Sequence, residues 1–119
     1  MKALRAGCAL LAALCSSAAM AHAMVKQSVP ADGATLAVAP TQVTITFNEK
    51  VEKMFTSATL SSAAGAVIAT GKAVLDPANP AVLRLALPAL QPGAYAVKWT
   101  AVGHDGHRRS GQIAFTIAQ

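Results

Sequence analysis

Apolar and polar residues alternate with a period of two in three segments of the chain. These segments are Gln42 to Phe47, Tyr95 to Val102 and Gln112 to Ile117. A period of two is typical of a β-strand with one buried and one solvated face. In the second segment, Tyr95 and Trp99 fall on the face that we expect to lie in the core. The three segments therefore predict the central strands of a β-sheet.

Four shorter β-prone runs complete this pattern, and turn residues separate them. The runs cover residues 25–29, 57–61, 66–70 and 82–87, and the turns 31–33, 64–65, 76–77, 79–80 and 91–93. No segment combines helical periodicity with helix caps, although residues 50–55 are compatible with one helical turn. About seven short strands predict a single all-β domain, a seven-stranded Greek-key sandwich or barrel.

The start of the chain has the features of a secretory signal peptide. Lys2 and Arg5 charge the first residues, residues 6–14 are apolar, and Ala19-Met20-Ala21 is a small-x-small cleavage site. The apolar stretch is shorter than the roughly 20 residues that a membrane-spanning helix needs. We predict a signal peptide over residues 1–21 and an exported domain over residues 22–119.

Cysteine content and charge exclude further classes of protein. Cys8 and Cys15 both lie in the predicted leader, so the mature domain would contain neither a disulfide nor a thiolate metal site. The net charge of +5 falls to about +3 without Lys2 and Arg5, and the remaining basic residues are scattered along the chain. Nucleic-acid binding is therefore not expected.

The candidate chemistry of the mature chain begins with two histidines in one loop. Gly103-His104-Asp105-Gly106-His107 directly follows the strand that carries Trp99. Such a segment can direct imidazole and carboxylate groups to one metal ion, but Gly and Asp are also typical of a solvated hairpin turn. Glu49 follows the strand at residues 42–47, and it is either a further oxygen ligand or an exposed carboxylate paired with a neighbouring lysine.

The third histidine depends on where the leader is cleaved. Cleavage after Ala21 would make His22 the first residue and place an α-amine next to its imidazole. An α-amine has an ordinary pKa of about 7.7 to 8.0, so it readily loses its proton to a divalent metal near neutral pH. These two nitrogens, completed by another histidine, suit tetragonal Cu(II). Cleavage after Ala23, which is also a permitted site, would instead remove the histidine.

Four segments of the mature chain carry a resemblance to a known family. They are His22-Ala23-Met24-Val25 with Ser28-Val29-Pro30-Ala31-Asp32-Gly33, then Phe47-Asn48-Glu49, then Gly93-Ala94-Tyr95-Ala96-Val97-Lys98-Trp99, and finally Asp105-Gly106-His107 with Gly111. Together they resemble the CopC family of periplasmic copper-binding proteins, from His22 to Ala118.

The resemblance implies a ligand set and a partner. It implies one Cu(II) per chain, bound through the amine and side chain of His22 and through His107, with carboxylates from Asp105 and Glu49. His104 matches no regular ligand of the family, and it is either an occasional alternative ligand or, as we expect, a plain loop residue. The implied partner is a membrane copper transporter of the CopD type, since the mature chain has no predicted span of its own.

Three function hypotheses follow. The first is a non-enzymatic Cu(II)-binding protein for copper homeostasis or resistance, with an immunoglobulin-like or cupredoxin-like sandwich. A second, Cu(I) site is not expected, because the mature chain has only Met24 and Met54, whereas some family members carry a methionine-rich loop. The second hypothesis is a histidine-brace copper oxygenase, which the few and mostly inward aromatic residues disfavour. The third is a metal-free exported structural sandwich.

Overall fold

The chain folds into two facing β-sheets in the structure, a computed structural model that describes residues 25–119. The nine strands of this part of the chain are β1 (Val25–Val29), β2 (Ala34–Leu36), β3 (Gln42–Phe47), β4 (Ser57–Ser62), β5 (Val67–Ile68), β6 (Val74–Asp76), β7 (Asn79–Ala86), β8 (Gly93–Val102) and β9 (Arg108–Ile117). A short 3₁₀ turn, Lys53–Phe55, is the helical element of the same region.

The strands divide into a four-stranded and a five-stranded sheet. The orders are β1-β3-β7-β6 and β2-β9-β8-β4-β5, and β2 pairs in parallel with the end of β9 while the other pairs are antiparallel. The β8–β9 pair is the longest, because it runs from Gly93 opposite Ile117 to Val102 opposite Arg108. Residues opposite each other in such a pair share a face, so this register decides which side chains of β9 point inward.

The core lies between the inward faces of the two sheets. Its buried side chains are Val43, Ile45, Phe47, Val51, Leu60, Leu83, Leu85, Val97, Trp99, Ala101, Ile113, Phe115 and Ile117. Phe47 meets the Trp99 indole edge to face at a centroid distance of 5.2 Å. Gly111 leaves room for that indole, since a Cβ added there would lie 2.8 Å from Trp99 Cζ2. Trp99 therefore packs between the two sheets, against Phe47 of one sheet and Gly111 of β9 in the other.

The structure confirms the all-β prediction and the predicted core positions of β3. The number of strands predicted, seven, was too low: β2 and β6 have three residues each, and so few residues show no alternation. The predicted turn at Asn79-Pro80 was also wrong, since both residues belong to β7 and the turn is formed by residues 77–78. At this position the carbonyl of Pro80 accepts a hydrogen bond from the Val51 amide.

The strands β8 and β9 begin earlier than the alternation alone indicated. Each has ten residues, because the antiparallel pairing extends at one end to Arg108 beside the loop and at the other end to Gly93 opposite Ile117. The predicted strand at residues 66–70 contracts to β5, and the predicted helical turn becomes the 3₁₀ turn. Phe55 in that turn is 61% exposed, so it is an exception to the expected inward placement of the aromatic residues.

Two predictions fall on residues 1–24, which lie outside the described part of the chain. They are the signal peptide over residues 1–21 and the N-terminal position of His22. Residues 25–119 contain no helix that is long and apolar enough to cross a membrane.

Candidate metal centre at one end of the sandwich

The hairpin between β8 and β9 forms the tip of one end of the sandwich. Gly106 has a φ of +79°, a left-handed conformation that glycine adopts without a Cβ clash. Its amide donates to the carbonyl of Gly103 at 3.0 Å, and the Gly103 amide donates to the carbonyl of His107 at 3.4 Å. This tight turn places Asp105 and His107 on the same side of the tip.

Asp105 holds His107 through both of its carboxylate oxygens. Oδ1 accepts the backbone N–H of His107 at 2.9 Å, and Oδ2 lies 3.1 Å from Nδ1 of the His107 ring. A carboxylate can only accept hydrogen bonds, so in the neutral ring this contact favours the tautomer with the proton on Nδ1, which leaves a lone pair on Nε2. The His107 side chain is 74% exposed, so Nε2 of the neutral ring is open to a ligand from solvent.

The environment of Asp105 favours its ionised form. The hydrogen bond from the His107 backbone amide is the main reason that the pKa of Asp105 lies below its ordinary value, and the charges of His107 and Arg109 lower the pKa further. Arg109 Nη2 lies 3.6 Å from Asp105 Oδ2. The carboxylate thus remains available as a negative group well into the acidic range.

Glu49 reaches the same end from the opposite sheet. It lies two residues after buried Phe47 and two before buried Val51, which forms an antiparallel bridge with Gly103. Its carboxylate occupies the space of a Cβ on Gly103: Glu49 Cδ lies 3.2 Å and Asp105 Oδ1 3.3 Å from that position. A side chain at residue 103 would displace the carboxylate, so glycine is needed for this approach.

His104 points elsewhere. Its Nδ1 lies 3.4 Å from Oε1 of Glu52, and both side chains are at least half exposed. This contact turns the imidazole toward the segment that precedes the 3₁₀ turn rather than toward Asp105. His104 thus has a different carboxylate partner from His107.

The described chain also begins at this end. Val25, the first residue of β1, lies opposite Phe47, the last residue of β3. The end of β3 leads directly to Glu49, so Val25 and Glu49 are on the same side of the molecule. His22, the remaining predicted ligand, lies outside the described residues.

The described residues alone do not complete a metal site. Within residues 25–119, no group of three or more His, Cys, Asp or Glu side chains is arranged to hold a metal ion. The structure brings Asp105 and His107 into direct contact and places Glu49 beside them.

Two features of this end were missed by the sequence analysis. Gly103 is needed for the approach of Glu49, and Arg109 is a cation on the inward face of β9. The inward row of β9 could have revealed Arg109, because counting back in steps of two from Ile113 leads through Gly111 to residue 109. An arginine at an inward position is unusual enough to indicate a specific role.

The chain belongs to the CopC family, whose CopC domain matches residues 25–118. It is similar to Copper transport protein CutJ of Bacillus subtilis (strain 168), with 35% identity over 100 residues. That match covers 83% of this chain but only 18% of CutJ, so the chain corresponds to a small part of the longer protein. Protein YobA of Escherichia coli (strain K12) is 31% identical over 109 residues, which cover 91% of this chain and 88% of YobA.

Solved structures agree with this family. CopC from Methylosinus trichosporium OB3b superposes with a TM-score of 0.75 at 28% identity, over 82% of this chain and 94% of that one. PcoC, a methionine-rich copper resistance protein from Escherichia coli, superposes with a TM-score of 0.71 at 26% identity, over 81% and 98%. CopC family proteins are copper-binding resistance proteins and not enzymes.

Proposed function

We propose that the mature protein binds one Cu(II) ion at the end of the sandwich formed by Glu49, Asp105 and His107. The amine and imidazole of His22 would supply two nitrogen ligands and His107 a third, with the carboxylates of Asp105 and Glu49 beside them. The observation that carries this proposal is the direct contact of Asp105 with His107, which leaves Nε2 of His107 available.

The start of β1 supports the participation of His22. His22 lies three residues before Val25, and three residues of chain extend over at most about 10 Å. Val25 lies opposite Phe47, two residues before Glu49. A cleaved chain that begins at His22 would therefore have its amine within reach of the same end of the sandwich.

The proposed ligands are suited to Cu(II) rather than Cu(I). Imidazole and amine nitrogens with carboxylate oxygens form the tetragonal environment that Cu(II) prefers, whereas Cu(I) prefers thiolate or thioether sulfur. Residues 25–119 contain no cysteine and Met54 as their single methionine. The chain therefore offers no counterpart of the methionine-rich character named for PcoC.

The biological role that we propose is periplasmic copper homeostasis or resistance. A signal peptide over residues 1–21 would export the chain, and the bound ion would be buffered or passed to a membrane copper transporter of the CopD type. The similarity to CutJ supports the delivery of copper to a transporter. In that copper transport protein, a segment similar to this chain is part of a much longer chain.

Intact-mass measurement of the exported protein under native conditions tests the proposal. The expected result is a chain that starts at His22 and retains one copper after the addition of one equivalent of Cu(II). His22→Ala and His107→Ala should lose this copper, and His104→Ala is the matched control that should keep it. A chain that starts at Met24, or a wild-type protein that retains no copper, would contradict the proposal.

A further inference from the structure

Arg109 occupies a position where an apolar side chain would be expected. It lies opposite Ala101, which is fully buried, so both side chains point between the sheets. The Arg109 side chain is only 16% exposed. Within residues 25–119, neither Nε nor Nη1 of this guanidinium has a hydrogen-bond partner. Buried donors without partners lower stability, so such a residue needs a functional explanation.

The contact that Arg109 does make is with the proposed copper site. Its Nη2 lies 3.6 Å from Asp105 Oδ2, the same oxygen that lies 3.1 Å from His107 Nδ1. Guanidinium, carboxylate and imidazole therefore form a continuous chain from the interior of the sandwich to its surface. Arg109 is the rigid end of this chain because its stem is enclosed between the sheets, whereas the Asp105 side chain is 45% exposed.

We propose that Arg109 is a positioning residue of the copper site: it holds the Asp105 carboxylate against Nδ1 of His107 and so presents Nε2 of His107 to the incoming ion. This inference rests on the proposed function, and it concerns the copper-free protein, before Asp105 has any contact with the ion. Groups that hydrogen-bond a metal-binding histidine fix its tautomer and orientation, and their loss typically lowers metal affinity by about 10–100-fold.

The competing explanation is that Arg109 merely closes the end of the core. An apolar side chain of similar length would do this without two unpaired donors. Replacing a buried ion pair by hydrophobic residues of similar volume is often neutral or stabilising, whereas removing one partner is costly when it leaves the other charge buried. Here the Asp105 carboxylate that remains is 45% exposed, so it stays solvated in Arg109→Met. Arg109→Met thus separates the two roles. If Arg109 positions His107, the variant should change the tautomer of His107 and leave the unfolding midpoint unchanged or raised. If Arg109 only closes the core, the variant should keep the tautomer and lower the unfolding midpoint.

The first experiment reads the tautomer of His107 in the copper-free mature protein. Long-range ¹H–¹⁵N spectra, recorded at a pH where the ring is neutral, distinguish Nδ1–H from Nε2–H. We expect Nδ1–H in the wild type and a shift toward Nε2–H in Arg109→Met. Arg109→Lys, which retains a cation on a long stem, should keep Nδ1–H. Arg108→Met is the matched control: it removes the same charge from the adjacent, exposed residue and should leave the tautomer unchanged.

The second experiment measures Cu(II) affinity by competition with a chelator, together with thermal unfolding of the copper-free variants. Arg109→Met should bind Cu(II) about 10–100-fold more weakly than the wild type, while Arg108→Met stays within about threefold of it. The unfolding midpoint of Arg109→Met should equal or exceed that of the wild type.

Three results would overturn the inference. They are an unchanged His107 tautomer in Arg109→Met, an unchanged Cu(II) affinity in that variant, and a lowered unfolding midpoint with the tautomer retained. Failure of the proposed function gives a different result, since the wild type itself would then bind no copper. The tautomer measurement needs no copper and would still decide whether Arg109 positions His107.

Discussion

The two ends of the β8–β9 pair differ in the kind of side chain that they carry on the inward face. Near Gly93 and Ile117 the inward residues are apolar, and Tyr95 stacks on Phe115 at a centroid distance of 5.7 Å. Toward the hairpin the inward positions of β9 change to Gly111 and Arg109, and the loop then carries Asp105 and His107. The inward faces of the same two strands therefore lead from the core to the loop that carries the proposed metal centre.

This difference shows how a rigid core can hold an exposed site. At the apolar end, side chains exclude water and contribute hydrophobic stability. At the polar end, hydrogen bonds within the loop between β8 and β9 hold Asp105 and His107 against each other. We expect substitutions in the packed interior, which includes Trp99 and its neighbour Gly111, to change mainly folding, and substitution of the exposed His107 to change mainly copper binding. The four predictions below test this separation.

The largest effect on stability is expected for Trp99→Ala. Trp99 is 6% exposed and contacts both Phe47 and β9, so truncation would leave a large cavity between the sheets. The free energy of unfolding should fall by about 3–5 kcal/mol. Urea unfolding at neutral pH measures this, and Trp99→Phe should lose less. A loss below about 1 kcal/mol would show that the indole does not join the sheets as described.

His107→Ala should have the largest effect on copper binding. It removes a proposed ligand, so the Cu(II) affinity should fall by at least about 100-fold, more than the usual loss of an outer hydrogen-bond partner. The free energy of unfolding should change by less than about 0.5 kcal/mol, because the side chain is mostly exposed. Chelator competition and urea unfolding give the two values. Equal affinities of His107→Ala and His104→Ala would contradict the assignment.

Gly111→Ala is expected to have an intermediate effect on folding. The added methyl group would lie 2.8 Å from the Trp99 ring, and the buried indole cannot move away freely. Overpacking of this kind typically costs about 1–3 kcal/mol. Gly71→Ala is the matched control, since a Cβ there meets nothing within 4 Å and should change the free energy of unfolding by less than about 0.5 kcal/mol. Equal stabilities of the two variants would contradict the close packing at Gly111.

The smallest effect is the acid dependence of Asp105. Because its pKa is lowered in the folded protein, chiefly by the His107 backbone amide, its ionised form favours the folded state. That contribution is fully present above the unfolded-state pKa of about 3.9 and is lost as the pH falls through the lower folded-state pKa. Asp105→Asn should therefore be less stable than the wild type near neutrality, and the difference should shrink in strong acid.

Urea unfolding of both proteins at several pH values measures this dependence. Asp76→Asn is a useful comparison in the other sheet, because the Arg84 side chain, at 2.8 Å, lowers the pKa of Asp76 in the same direction. A gap between the wild type and Asp105→Asn that does not shrink on acidification would show that the carboxylate contributes through something other than its charge.

Elements whose own residues show a pattern could be predicted from the sequence, and elements that depend on pairing with a distant strand could not. The alternation of β3 predicted the strand and its three buried residues, because a local period of two reports directly on a strand with one buried face. The strands β2 and β6 could not be predicted, since three residues show no period and each exists only by pairing with a partner. The Asp105–His107 contact joins residues two apart, so its sequence signal was visible in one short segment.

The sequence by itself determined the two-faced strands, the aromatic and aliphatic side chains of the core, and the histidines and carboxylates available for copper. Only the tertiary structure decided that Glu49 fills the space beside Gly103 and that Arg109 points between the sheets toward Asp105. These placements depend on the packing of one sheet on the other and on the register of β8 with β9. Glu49 and Gly103 are far apart in sequence, and although the alternation of β9 indicates that Arg109 points inward, no local pattern records how the opposite sheet encloses its side chain.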